Sequence, residues 1–113
     1  MRPIQHGDLT MAARALLPVP VAHRARIIQT LLQQAEAADR FRKKLGRVHP
    51  KWGNGTLMAA ALAQPVPNEP RLDDPDYLNC QAHVIAALIS RRPITNQDRD
   101  HKAFAFSRTV TIC

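Results

Sequence analysis

Apolar residues recur every three or four positions through most of the first 92 residues, a spacing that predicts helices rather than strands. The stretch GDLTMAARALL (7–17) reads as a short first helix with Leu9, Ala12, Ala13, Leu16 and Leu17 along one side. Asp8 is its expected N-cap, because a carboxylate there accepts the free N–H groups of the first turn. Pro18 and Pro20 end it, and Pro20 also suits the start of the next helix.

The second and clearest helix is expected over 21–46. Ile27, Leu31, Ala35, Ala38, Phe41 and Leu45 form its apolar stripe, widened by Ile28 and Leu32, with Arg26, Gln29, Gln33, Glu36, Arg40 and Lys43 opposite. Gly46 is placed to close it, since glycine adopts positive φ without strain. A third helix is expected over 57–64, capped by Thr56 or Asn54. LMAAALA is apolar all round, which puts it at the centre of a bundle. The proline-stiffened QPVPNEP (64–70) connects it to a fourth helix. Asp73 or Asp74 caps that helix, Pro75 and Asp76 lie in its first turn, and Leu78, Ala82, Ile85, Leu88 and Ile89 are its expected core face. Arg91 and Arg92 close it.

After Pro93 the pattern changes. TNQDRDHK is polar, and AFAFSRTVTIC then alternates, with Phe104, Phe106, Arg108, Val110 and Ile112 on one side. The expected organisation is therefore an all-α compact bundle of about four helices over 1–92 and an irregular or extended C-terminal tail over 93–113.

Composition sharpens this picture at three points. The 4% aromatic share leaves the core to Ala, Leu, Ile and Val, which suits close helix-on-helix packing. A net charge of +7 favours nucleic acid, acidic proteins or anionic membranes as partners without choosing among them. Cys80 and Cys113 are the only cysteines and do not make a disulfide framework. The N-terminal MRPIQHGDLT lacks the apolar core of a secretory signal, and no apolar run reaches the ~20 residues of a membrane span. A cytoplasmic location with reduced thiols is the expectation.

The chemistry-bearing residues gather around HPKWGNGTLMAAALAQP (49–65), where a cationic turn carries the chain's single tryptophan into the apolar third helix. Arg40, Arg42, Lys43, Lys44, Arg47 and Lys51 place six cations in twelve residues with no acid among them. His49 and Trp52 lie in the same stretch, the pattern of a phosphate-contacting patch with stacking groups. Equally, the run fits a solvated helix end whose cations complement the helix dipole. Gly53 and Gly55 leave backbone N–H groups near a helix start, which in principle receives an anion, yet GNGT lacks the spacing of a Walker A loop. As a plain turn, Asn54-Gly55 would supply its positive φ values. Trp52 fits either an interface anchor or a lid over the core.

Other constellations are weak. Cys80 and His83 share a helix face, but a zinc site needs three or four ligands and no second pair has ligand spacing. Capping accounts for Asp73, Asp74 and Asp76. The ten-residue connection between helices two and three does not match a helix-turn-helix, and LMAAALA carries nothing that reads base edges.

Three blocks of the chain resemble a small uncharacterised family of alphaproteobacterial proteins: HGD before AARALL, AEAADRFRKKLGRVHPKWGNGTLMAAAL, and LDDPDY before the last helix. The resemblance covers about residues 4–92 and implies a bacterial cytoplasmic protein without implying an activity. The reading these observations favour is a small, non-enzymatic accessory or adaptor protein that needs no cofactor and binds an acidic partner protein. Its surface would comprise Arg40, Lys43, Lys44, Arg47, His49, Lys51, Trp52, Asn54 and Thr56, with Arg47, Lys51 and Trp52 as anchors and the Gly53–Thr56 backbone receiving a carboxylate or phosphate. The alternative is non-specific nucleic-acid binding through the same surface.

Overall fold

The first helix begins one turn earlier than its cap signal suggests. Gln5 is the N-cap of α1 (His6–Leu16), and Asp8 sits inside the first turn with its Oδ2 accepting from the Gln5 N–H at 2.8 Å. Asp8 is buried, and its other oxygen accepts from the Met58 N–H at 2.9 Å. One carboxylate thus joins the starts of two helices. The computed structural model describes residues 1–91, and within them four helices follow in order: α1, α2 (Val21–Leu45), α3 (Leu57–Ala61) and α4 (Pro75–Ser90). The tail expected to be irregular or extended, with its strand-like alternation, lies outside the described residues.

Several expected signals act as the chain chemistry requires. Gly46 closes α2 at φ 73, its N–H donating to the Arg42 carbonyl at 2.8 Å. Thr56 caps α3, its Oγ1 accepting from the Ala59 N–H at 3.1 Å. Asp74 caps α4 with Pro75 at the first position, and its Oδ2 accepts from the Tyr77 N–H at 3.1 Å.

The arrangement of the helices differs from expectation in two ways. First, α1 rather than α3 is central. Ala12, Ala13, Ala15 and Leu16 are fully buried, and α1 touches the other three helices, whereas α3 touches α1 and α2 but not α4. The third helix stops at Ala61 instead of reaching 64, and Leu62 is exposed. Pro65 disfavours helical backbone at Gln64, and before it the Ala63 N–H donates to the Ala60 carbonyl at 3.2 Å, an i to i−3 bond that tightens the chain out of the helix.

Second, two buried faces are rotated from their apolar stripes. On α2 the buried positions are Arg24, Ile28, Leu31, Leu32, Ala35, Ala38 and Asp39; Ile27 and Phe41 are half-buried and Leu45 is exposed. On α4 the buried positions are Tyr77, Cys80, Val84 and Ala87, while Leu78, Ala82, Ile85 and Ile89 face outward. The α1–α4 contact is the most extensive in the bundle, and small residues on both helices permit it. Alanines of α1 share one core cluster with Cys80 and Ala87 of α4, where larger side chains would hold the axes apart.

A buried arginine ties three of the helices together. Arg24 Nε donates to the carbonyls of Leu16 at 3.1 Å and Val19 at 2.9 Å, and Nη2 donates to Leu17 at 3.2 Å. Its Nη1 donates to Asp76 Oδ1 and Asn79 Oδ1, each at 2.8 Å. A guanidinium on α2 therefore supplies the C-terminal carbonyls of α1 with donors and reaches the first turns of α4. The connector before α4 is held by its own bonds. Arg14 Nε donates to the Pro67 carbonyl at 2.9 Å, and the Tyr77 hydroxyl donates to Glu69 Oε2 at 2.8 Å. Burial, reinforced by that carboxylate, pushes the Tyr77 phenol up to about 12.

Candidate functional site

The basic stretch begins on the last turns of α2 and crosses to α3 through a turn built by His49. Its N–H donates to the Gly53 carbonyl at 2.9 Å, and the Gly53 N–H returns to the His49 carbonyl at 3.1 Å. Between them, His49 Nδ1 accepts from the N–H groups of Lys51 and Trp52, both at 3.0 Å. With Nδ1 acting twice as acceptor, the ring carries its hydrogen on Nε2. The side chain thus folds the loop over itself as an Asx residue does in a tighter turn.

That geometry stacks Trp52 on His49, ring centroids 4.8 Å apart and planes 5° from parallel. Phe41, from α2, meets the same imidazole in an edge-on arrangement, centroids 4.8 Å apart and planes at 70°. Phe41, His49 and Trp52 form a three-ring ladder that fastens the turn to α2. Trp52 is half-buried, so it is neither a free anchor nor a lid sealed into the core.

Two glycines seat the turn against the bundle. A Cβ on Gly53 would lie 2.5 Å from the Ala59 Cβ of α3, and one on Gly55 would lie 2.8–3.0 Å from Asp39 of α2. The positive φ values of the turn belong to Gly53 and Gly55, at 83° and 95°, and not to Asn54. Asn54 Oδ1 accepts from the Thr56 N–H at 3.1 Å and from its hydroxyl at 2.8 Å, building the cap of α3.

Of the Gly53–Thr56 backbone expected to receive an anion, the Gly53 N–H donates to the His49 carbonyl at 3.1 Å and the Thr56 N–H to Asn54 Oδ1 at 3.1 Å. At the start of α3, Thr56 Oγ1 already holds the Ala59 N–H and the internal carboxylate of Asp8 holds the Met58 N–H. The chain supplies its own anion there. Asn54 and Thr56 are half-buried and bonded to each other.

Asp39, which precedes the cationic run, changes its electrostatics. It is buried, and its oxygens meet Arg42 Nη2 at 2.8 Å and Lys43 Nζ at 3.2 Å. The α-amino group of Met1 lies 3.3 Å from Asp39 and 3.0 Å from Glu36, and Arg91 Nη2 lies 2.6 Å from Glu36. The half-buried Arg42 and the exposed Lys43 therefore direct part of their charge to Asp39. Arg40, Lys44, Arg47 and Lys51 are exposed and have no ion-pair partner among the described residues. The i, i+3 and i, i+4 spacing of Asp39 to Arg42 and Lys43 was the signal for this pairing.

The paired acids set the acid limit of the fold. The Arg42 hydrogen bond, opposed by burial and aided by Lys43, holds Asp39 well below the usual carboxylate value of 3.8. The Met1 ammonium likewise lowers Glu36 from 4.5. A carboxylate depressed in the folded state contributes stability above its unfolded value and loses it as pH falls through the folded one. Urea midpoints are therefore expected to hold from pH 7 to about 5 and to fall steadily below about pH 4. Asp39→Asn should flatten that fall, and equal slopes for the two proteins would remove Asp39 from the account.

The remaining constellations resolve structurally. Cys80 is fully buried and burial pushes its thiol up, so it packs as an apolar residue beside a half-buried His83. No group of three or more His, Cys, Asp or Glu side chains that could hold a metal occurs among the described residues. Asp74 caps α4, Asp76 meets Arg24 and Asp73 meets Arg71. No helix among the described residues is long and apolar enough to cross a membrane.

The model of one protein family, described as a domain of unknown function (DUF7742), matches residues 2–88. No curated protein and no solved structure matches the chain.

Proposed function

Since the chain belongs to the DUF7742 family, whose description assigns no activity, we propose from the site itself that it is a small cytoplasmic accessory or adaptor protein. It docks an acidic partner protein and catalyses nothing. The observation that carries this reading is the juxtaposition at the end of α2. A half-buried tryptophan, stacked on His49, lies in the same turn region as Arg40, Lys44, Arg47 and Lys51, all exposed. A rigid aromatic with one ring face already packed is a low-entropy anchor, and exposed cations in the same stretch, without an ion-pair partner among the described residues, select acidic surfaces and speed encounter. Lys43 adds the share of its charge that Asp39 leaves, and Asn54 and Thr56 act by holding the turn.

Trp52 is the single tryptophan, so its emission reads this surface directly. The test titrates the protein with a polyglutamate peptide, a 20-base single strand and a 20-base-pair duplex, at ~50 and ~200 mM salt. The expected result is a Trp52 response to the acidic peptide, with affinity reduced about tenfold or more in the Arg47→Glu/Lys51→Glu variant. Both substitutions are at exposed positions, so the fold is retained. A response confined to nucleic acid and lost steeply with salt would replace this reading with phosphate-backbone binding through the same cations. Silence toward all three probes at the lower salt would end both.

A further inference from the structure

The apolar stripe of α4 has the spacing of a buried face, yet nothing among the described residues covers it. Leu78, Ile85 and Ile89 are 49%, 45% and 58% exposed and lie at i, i+7 and i+11. At the C-terminal end of this stripe an open groove of about 420 Å³ runs between α4 and the start of α1, with Ile4, His6, Leu9, Ile85, Leu88 and Ile89 among its walls. Two adjacent turns of exposed isoleucine beside an apolar hollow make a surface that water solvates poorly.

We infer that the occupant of this groove is the chain's own segment 103–112, AFAFSRTVTI, docking in cis. Three observations favour it over a separate molecule. The chain leaves α4 at Ser90, directly beyond the groove walls Ile85, Leu88 and Ile89. Residues 93–102 are mostly polar and, when extended, reach up to about 33 Å. The stripe from Leu78 to Ile89 is only about 16 Å long, so the tether spans it in either direction. Finally, the segment supplies what the groove lacks: Phe104, Phe106, Val110 and Ile112 share one side, interrupted by Arg108, whose aliphatic stem packs while its charged head reaches water, and Ser107, Thr109 and Thr111 share the other. A tethered segment at this distance faces its site at an effective concentration of about millimolar, which no free partner of ordinary abundance matches. Docking also removes an exposed apolar, strand-prone window from solution.

Disulfide trapping in the full chain tests this. In a Cys113→Ser background, Ile85→Cys is combined in turn with Phe104→Cys, Phe106→Cys and Val110→Cys, covering three registers. Gln33→Cys, on the exposed face of α2, is the control for random collision. Cys80 is buried and stays. A disulfide needs Cα atoms within about 7 Å, so trapping reports real proximity. The expected result under mild oxidant is a monomeric cross-link at Ile85→Cys in at least one register, forming about tenfold or more faster than with the control. Covalent dimers would overturn the proposal and make a second copy the occupant. Equal rates at positions 85 and 33, or no cross-link in any register, would overturn it as well.

Discussion

Arg24→Ala is expected to destabilise the protein by about 3 kcal/mol, because a buried side chain is lost and several backbone carbonyls lose the donors it supplied, while its ionic partner Asp76 stays solvated. The guanidinium is 2% exposed and fills five hydrogen-bond roles. Its loss leaves the carbonyls of Leu16, Leu17 and Val19 without these donors at a helix end that is itself core. It also strands Asn79 and leaves Asp76 without its partner. An unpaired buried carbonyl costs about 1–3 kcal/mol, whereas the bond it made contributes less, so the penalty exceeds the value of the contacts. Domains of this size hold only about 5–15 kcal/mol, and the variant should melt about 15 °C or more below the parent. Arg24→Lys keeps the charge but not the planar fork, so it should recover only part of the loss. Urea denaturation checks both. A midpoint shift worth less than about 1 kcal/mol for Arg24→Ala would mean that water replaces the guanidinium.

Arg24 also marks where the sequence stops being readable. A pattern search assigns arginine to the polar face, and Arg24 lies one turn before Ile28 on the buried face of α2. Nothing local in VAHRARII announces that the carbonyls of Leu16, Leu17 and Val19, at the end of α1 and in the connection after it, wait for it. The ends of elements were readable because their chemistry is local: Gly46, Thr56 and the Asp74-Pro75 pair act within their own turns. Asp8 misled for the opposite reason. It has the right type for a cap, but it sits at the third helical position because Gln5 takes the cap and Met58 takes the spare oxygen.

The α4 face misled by apolarity. Leu78, Ile85 and Ile89 form the more conspicuous aliphatic stripe, yet the helix buries Tyr77, Cys80, Val84 and Ala87 in the core it shares with the alanines of α1, and the stripe turns outward. The candidate site divides the same way. Its cations and its tryptophan were legible as composition. The stacking of His49 between Phe41 and Trp52, and the withdrawal of Arg42 and Lys43 toward Asp39, depend on the path of the turn.

Gly55→Ala is expected to cost about 3 kcal/mol, combining backbone strain with overpacking. At φ 95 an alanine is strained whatever surrounds it, and the added Cβ would lie 2.8 Å from Asp39 Oδ1, 2.9 Å from its Cβ and 3.0 Å from its Cα. Asp39 has little room to yield. It is mid-helix, buried, and tied through its carboxylate to Arg42 and Lys43. The turn must move instead, and with it the backbone bond from Arg2 N–H to the Gly55 carbonyl at 3.0 Å. Gly46 provides the internal comparison. It also has positive φ, at 73°, but nothing lies within 4 Å of an added Cβ. Gly46→Ala should therefore cost only the conformational part, about 1–2 kcal/mol. Equal losses in the two variants would show that strain alone is at work and that the turn does not press on Asp39. An excess at Gly55, accompanied by a shift in native Trp52 emission, would mean that the contact seating the turn on α2 also sets the pose of the tryptophan. The docking surface would then depend on a residue that no partner touches.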